Sequence, residues 1–245
     1  MLSIIIPAYN EEDRIGPTLL QILDLVKDSG LKIEIVVVDD GSIDNTRDRV
    51  LNISDRYNNL RLISHKNNRG KGAAIRTGVL NARGSKILYT DADFSYPVTR
   101  LAELIGKLEN HDVIIGSRTH PDSRMIVPPP VYRKWLAFIF SFMVRILLGL
   151  PFLDTQCGFK GFKTEIAIKL FRLARIDGFS FDAEILTIAH LHGYSICEIP
   201  VSLVHSFGSR LSLFKDAIIM AVDIVRIRYN IWKGYYNETT SGNLE

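Results

Sequence analysis

Residues 33–40 read IEIVVVDD, and this stretch decides the fold. A β-branched run that does not alternate with polar residues has no wet face, so it reads as a strand buried on both sides. Outward from it the same pattern recurs: LSIIIP (2–7), LRLISH (60–65), SKILYTD (85–91) and HDVIIGSR (111–118). Between these runs the spacing predicts helices from about Glu11 to Lys27, over 44–57, from about Gly70 to Asn81, and near 98–108. Strands alternating with helices indicate an α/β fold, a mostly parallel sheet covered on both faces. Such sheets bind ligands at the carboxyl ends of their strands. YNEE, DDGS, DADFS and GSR all fall at those ends. Taken singly they are ordinary turn and N-cap residues; taken together they line one crevice.

A chain of 245 residues with 47% apolar side chains can bury one substantial core. Its net charge of +3 suits anionic ligands or an anionic membrane surface and gives no argument for nucleic acid. The two cysteines, Cys157 and Cys197, have neither disulfide-framework nor zinc-ligand spacing. A reducing, cytoplasmic setting is expected.

After Arg118 the Pro-rich stretch THPDSRMIVPPP (119–130) predicts a long loop. The strongly apolar segment 132–152 follows, but Arg145, Gly149 and Pro151 interrupt it. It reads as a buried or interfacial helix, with a membrane span as the alternative. Near the end, 211–236 predicts an amphipathic helix with Phe214, Ile218, Val222 and Val225 on its apolar side and Trp232, Lys233, Tyr235 and Tyr236 at its close. A helix packed on the sheet and a helix at a water–lipid boundary both produce that pattern.

Asp91 and Asp93 in DAD put like charges side by side at a strand end, which requires compensation. Hard carboxylate oxygens suit Mg²⁺ or Mn²⁺ arriving with substrate phosphates. NNRGKGAAIRTG (67–78) offers Arg69, Lys71 and Arg76 with two glycines at a helix start, where amides favour anions. Neither the Walker spacing nor Gly-x-Gly-x-x-Gly is present.

IIIPAYNEE, VVVDDGS, NRGKGAAIRTG, DADFS, IIGSR and DTQCGFKGF, in that order, resemble family-2 glycosyltransferases of the GT-A fold, in the polyprenol-phosphate branch. GSRTH, DTQCGFKGF and FDAEIL are most similar to dolichyl-phosphate β-glucosyltransferases, and next to dolichyl-phosphate mannose synthases. The resemblance covers roughly 1–210 and implies a GT-A domain there, with a nucleotide-sugar half (1–118) and an acceptor half (119–210), then the helix 211–236 and a tail, 237–245. It implies that Pro7, Tyr9, Glu11, Val38 and Asp40 line the nucleotide with Lys71 nearby. Asp91 and Ala92 would contact the sugar nucleotide, Asp93 the metal with Asp91 beside it, and Arg118 the diphosphate and acceptor phosphate.

Two positions depart from the pattern. Ser95 stands where mannose synthases often have Gln, and Arg210 where the glucosyltransferase pattern has Lys. Arginine keeps the charge and binds phosphate bidentately. With Arg118 and Arg133, Arg210 forms the expected cationic clamp, and Asp182 is expected to orient sugar or acceptor. The implied reaction is inverting transfer of glucose from UDP-glucose to a polyprenyl (dolichyl) phosphate, by a peripheral protein on the cytoplasmic face of a membrane. GDP-mannose as donor, a glycan hydroxyl as acceptor, and a non-catalytic sugar-nucleotide binder stay open as alternatives.

Overall fold

The computed structural model describes residues 1–27, 30–92, 101–125, 131–203 and 213–237. In chain order these form β1 (Leu2–Ala8), α1 (Ile15–Lys27), β2 (Ile33–Asp39), α2 (Thr46–Ser54), β3 (Leu60–Ser64), α3 (Lys71–Leu80), β4 (Lys86–Tyr89), α4 (Leu101–Asn110) and β5 (Val113–Ser117). There follow β6 (Arg124–Met125), α5 (Val131–Leu148), β7 (Lys160–Lys163), α6 (Thr164–Leu173), α7 (Phe181–Leu191), β8 (Ile196–Pro200), β9 (Ser202–Leu203) and α8 (Leu213–Trp232).

The main sheet has seven strands in the order β3-β2-β1-β4-β7-β5-β8. Its pairs are parallel except those of β7, which runs antiparallel between β4 and β5. The unbroken apolar runs are explained by burial on both faces. On β1, Ile5 joins the core under α3, α6 and α7, while Ile4 and Ile6 join the core under α1 and α4. On β2, Val36 and Val38 go one way and Ile35 and Val37 the other. Glu34, the one acid inside that run, is held by Ser3 Oγ at 2.5 Å, the Arg83 amide at 2.5 Å and the Arg61 guanidinium at 3.0 Å. Burial alone would raise its pKa, but these donors outweigh burial and hold it below the ordinary value.

The first five strands stand where the sequence places them. The first helix begins at Ile15 and not Glu11, because residues 10–14 are used to tie two loops together. β7 and β8 and the helices α6 and α7 were not anticipated. The apolar segment 132–152 becomes α5, which stops at Leu148 before the left-handed Gly149 (φ 70°). It packs against α8, and Val144, Leu148, Ile224 and Ile227 enter the core. The opposite side of the pair stays outside. Trp135 and Phe138 are each 63% exposed, and Ile218, Val222 and Val225 lie open on α8. Among the described residues no helix is long and apolar enough to cross a membrane.

Candidate active site

The loops after β1 and β2 are joined by side-chain hydrogen bonds. The Asn10 amide donates to Ser42 Oγ (2.8 Å), the Glu11 amide to Thr46 Oγ1 (2.6 Å), and the Ile43 amide to Asn10 Oδ1 (2.9 Å). Asn10 adopts φ 53°, a left-handed conformation that asparagine tolerates. Pro7 pairs in register with Val38, and Tyr9 stands exposed at the rim. Glu11 is bound through both oxygens to Arg14, at 2.7 Å each. Val38 packs in the core, so any contact it makes with a ligand is through its backbone.

Asp40, expected from the resemblance to line the nucleotide, is 3% exposed. Its buried carboxylate accepts the amides of Arg69 (3.0 Å) and Gly70 (2.8 Å) and lies 2.6 Å from His65 Nδ1. It therefore shapes the loop that leads into α3. The amides of Gly72 and Ala73 donate to the Asp177 carbonyl, at 2.8 and 3.2 Å. The glycine-rich start of α3, read from sequence as an anion-binding helix terminus, thus spends these amides on the protein itself.

The cation beside Asp91 is Lys71, whose Nζ lies 2.5 Å from Asp91 Oδ1. The compensation that the paired carboxylates require is supplied, at this residue, by a side chain from α3. Gly158 explains how the carboxylate fits: a Cβ there would overlap the Asp91 carboxylate. The DTQCGFKGF segment is thereby packed directly on DAD. Gly158→Ala is expected to displace the Asp91 carboxylate from Lys71 and to lower sugar transfer about a hundredfold. Its melting temperature should move little, because the group displaced is the end of a partly exposed side chain; kcat and thermal melts check the two halves.

Arg118 closes on Asp154. Its Nε and Nη2 each donate at 2.7 Å and its amide at 2.8 Å. The expected phosphate clamp therefore has its fork engaged by an internal carboxylate. Burial would raise the Asp154 pKa, but the Arg118 hydrogen bonds and charge outweigh it and hold that carboxyl below its ordinary value. The folded chain thus favours ionised Asp154. This contribution to stability is complete above the unfolded value of about 4 and is lost as pH falls through the lower folded value. In acid titrations followed by circular dichroism, Asp154→Asn should flatten the fall of stability below about pH 4.

Asp182 lies at the start of α7, 2% exposed, beneath the crevice. Lys160 Nζ and Tyr89 Oη each donate to its Oδ1 at 2.5 Å, and Lys160 Nζ also reaches the Cys157 carbonyl at 2.7 Å. Lys160 itself is 0% exposed. Burial raises the Tyr89 pKa well above its ordinary value, with the Asp182 charge adding to it, so the phenol keeps its proton. Asp182, expected from the resemblance to orient sugar or acceptor, belongs in this fold to a buried layer that fixes β4, β7 and α7 to one another. Ala92 likewise has its side chain in the core and its carbonyl taken by Thr18 Oγ1 at 2.7 Å.

Asp93, Ser95 and Arg210 lie outside the described residues, as does the side chain of Arg133 at the start of α5. Among the described residues no three metal-ligating side chains cluster. Asp91 nonetheless fits a divalent ion that brings its own phosphate ligands. It is a hard oxygen donor, its side chain is 31% exposed, and one or two carboxylates suffice for such an ion.

The sequence matches the model of glycosyl transferase family 2 over residues 3–171. The dolichyl-phosphate β-glucosyltransferase of Dictyostelium discoideum is 36% identical over 95% of this chain and 76% of its own length. That of Saccharomyces cerevisiae is 37% identical over 97% and 77%, and that of Homo sapiens 34% over 93% and 75%. Among solved structures, glucosyl-3-phosphoglycerate synthase from Mycobacterium tuberculosis, in complex with Mn²⁺, UDP and glucosyl-3-phosphoglycerate, aligns with a TM-score of 0.69. It is 20% identical and covered over 93% of this chain and 79% of that one, a likeness of fold. A mixed sheet with β7 inserted antiparallel, the ion pairs Lys71–Asp91 and Arg118–Asp154 beside the carboxyl ends of its strands, and this extent of match together place the chain in glycosyl transferase family 2, as a glycosyltransferase of the GT-A fold.

Proposed function

We propose that the chain transfers glucose from UDP-glucose to dolichyl phosphate with inversion at the anomeric carbon. The observation that carries the choice of acceptor is the burial of Asp182. A hydroxyl acceptor needs a carboxylate free to take its proton. Asp182, the acid that the resemblance sets toward sugar or acceptor, is here locked to Lys160 and Tyr89. A phosphate acceptor needs no such base, since its oxygen is already ionised at neutral pH. That oxygen forms the new bond to the anomeric carbon as the bond to UDP breaks, and the electron pair leaves with UDP. The relatives named for this reaction match along nearly the whole chain, which supports the same acceptor and sugar.

The protein's own part is positioning and charge. Lys71 and Asp91 meet the donor at the end of β4, and Arg118, oriented by Asp154, meets phosphate at the end of β5; Arg133 and Arg210 complete the clamp. Pro7, Tyr9 and Glu11 flank the nucleotide. Asp91 and Asp93 would hold Mg²⁺ or Mn²⁺, which would supply neutralisation of charge on the leaving diphosphate.

The exposed apolar side of α5 and α8 is proposed to rest on the cytoplasmic surface of the membrane that carries the lipid acceptor. Trp232 is 74% exposed, and Lys233 Nζ sits 4.6 Å from its ring centroid, a pairing suited to a headgroup boundary. Phe138→Ser with Val222→Ser should weaken sedimentation with anionic vesicles at least about tenfold, given about 1.5–3 kcal/mol per large apolar side chain buried. A wild-type chain that does not sediment with vesicles contradicts the proposal.

The decisive experiment supplies purified protein with dolichyl phosphate, Mg²⁺ or Mn²⁺ and labelled sugar nucleotides, and counts label in the organic phase. Metal-dependent label from UDP-glucose is the expected result. Label from GDP-mannose alone would overturn the donor, and label only in a water-soluble glycan would overturn the acceptor.

A further inference from the structure

Behind Lys71 a continuous set of hydrogen bonds leads to the C-terminal helix. The Asp177 carbonyl takes the amides of Gly72 and Ala73, and Arg76 Nη1 holds the Asp177 carboxylate at 2.5 Å. The two backbones touch: a Cβ on Gly72 would lie 2.7 Å from Phe181 Cβ and 2.8 Å from the Ile176 carbonyl oxygen, and one on Gly70 would strike the Asp177 carbonyl oxygen. Residues 175–178 are thus the seat of the first turn of α3.

That seat is fixed from beneath by Glu184, a fully buried carboxylate on α7. Its oxygens accept the amides of Arg175 (2.9 and 3.0 Å) and Ile176 (2.8 Å). Its further donor comes from the far end of the chain: Tyr236 Oη, at 2.5 Å, which in turn accepts from Asn230 Nδ2 at 3.0 Å. The Arg175 guanidinium stacks 4.4 Å over the Tyr235 ring, and His192 Nε2 lies 2.7 Å from the Tyr236 carbonyl. A buried carboxylate adds little net stability over an apolar side chain of the same volume, whereas its hydrogen bonds fix one geometry. Among the described residues, every hydrogen-bond donor to the Glu184 carboxylate lies on the loop under α3 or on the segment that follows α8.

We infer that Asn230–Tyr236 is a positioning element for the active site: through Glu184 and residues 175–178 it fixes the first turn of α3 and so holds the Lys71 ammonium against Asp91. The inference rests on the proposed function only in placing the nucleotide at Lys71.

Tyr236→Phe tests it, because the ring stays in place and only the hydroxyl is lost. Hydrogen exchange on the full chain should accelerate at least about tenfold at Gly72 and Ala73 and stay unchanged in β1, β2 and α1, as expected for local opening. UDP titrated calorimetrically with Mn²⁺ should bind about fivefold to tenfold more weakly to Tyr236→Phe, and this loss should vanish when Lys71 is already Ala. Unchanged exchange at Gly72 and Ala73, or, where Lys71→Ala by itself weakens UDP binding, losses that simply add in the double variant, would overturn the inference. Glu184→Gln keeps the shape without the charge and should repeat the pattern if Tyr236→Phe does not fold. Faster exchange at Gly72 and Ala73 with UDP binding unaffected by Lys71→Ala would uphold the linkage and reject instead the placing of the nucleotide at Lys71.

Discussion

Asp91→Asn is expected to lower sugar transfer by about three orders of magnitude while leaving the chain folded. Asparagine has the same shape, so the close approach to Gly158 is kept and only the charge is removed. Two consequences follow at one point. Lys71 loses the partner 2.5 Å away that fixes its ammonium, and the crevice loses the described carboxylate that suits a divalent ion. Together these correspond to about 4 kcal/mol of transition-state stabilisation, within the range known for groups aimed at developing charge. The effect on stability is small by comparison. Both side chains are partly exposed, and a solvent-screened ion pair contributes about 0–1 kcal/mol. Initial rates of label transfer, read beside thermal melts, separate the two. A variant that keeps more than a tenth of wild-type activity would remove Asp91 from the chemistry.

The difference between what was legible in the sequence and what was not follows from the range of the interactions. β1 to β5 were legible because burial on both faces leaves a local trace, an unbroken apolar run such as Ile4-Ile5-Ile6. β7 leaves none: KGFK is four residues long with lysine at both ends, and a lysine reads as solvent-facing although Lys160 is wholly buried. α7 was missed for the opposite reason. Phe181 to Ala189 are all buried, so no polar face supplies a helical period. At the site, Asp91 and Arg118 are legible as charges at strand ends and Lys71 as a cation at a glycine-rich helix start, but their neighbours are not. Asp154 lies 36 positions from Arg118 and Lys160 lies 22 from Asp182. The signal for both lies in DTQCGFKGF, which carries the family resemblance and contains Asp154 and Lys160. The resemblance sets Asp40 against the nucleotide, and no local pattern shows that the same carboxylate also shapes the loop beside it. Its use by the Arg69 and Gly70 amides becomes visible only when the chain has folded back.

Lys160→Met is expected to be the most destabilising single change in the buried layer. Methionine fills a similar volume, so the cost is electrostatic. Asp182, 2% exposed, keeps the Tyr89 hydroxyl and loses the ammonium that neutralised it. Breaking a buried pair by removing one partner costs about 3–5 kcal/mol. For a chain of this size that corresponds to a fall in Tm of roughly 6–20 °C. Neutralising the other partner as well should reverse most of it, since Asn at 182 can still accept from Tyr89 without a charge to compensate. Thermal melts of Lys160→Met and of Lys160→Met with Asp182→Asn therefore form a pair, and a single variant melting within about 2 °C of wild type would refute the buried-charge account. The double variant also separates fold from chemistry. If Asp182 acted as a base on the acceptor, restoring stability would leave transfer abolished. If it only anchors β4, β7 and α7 beneath the crevice, transfer should recover along with the melting temperature, and the acceptor would be one that brings its own ionised oxygen.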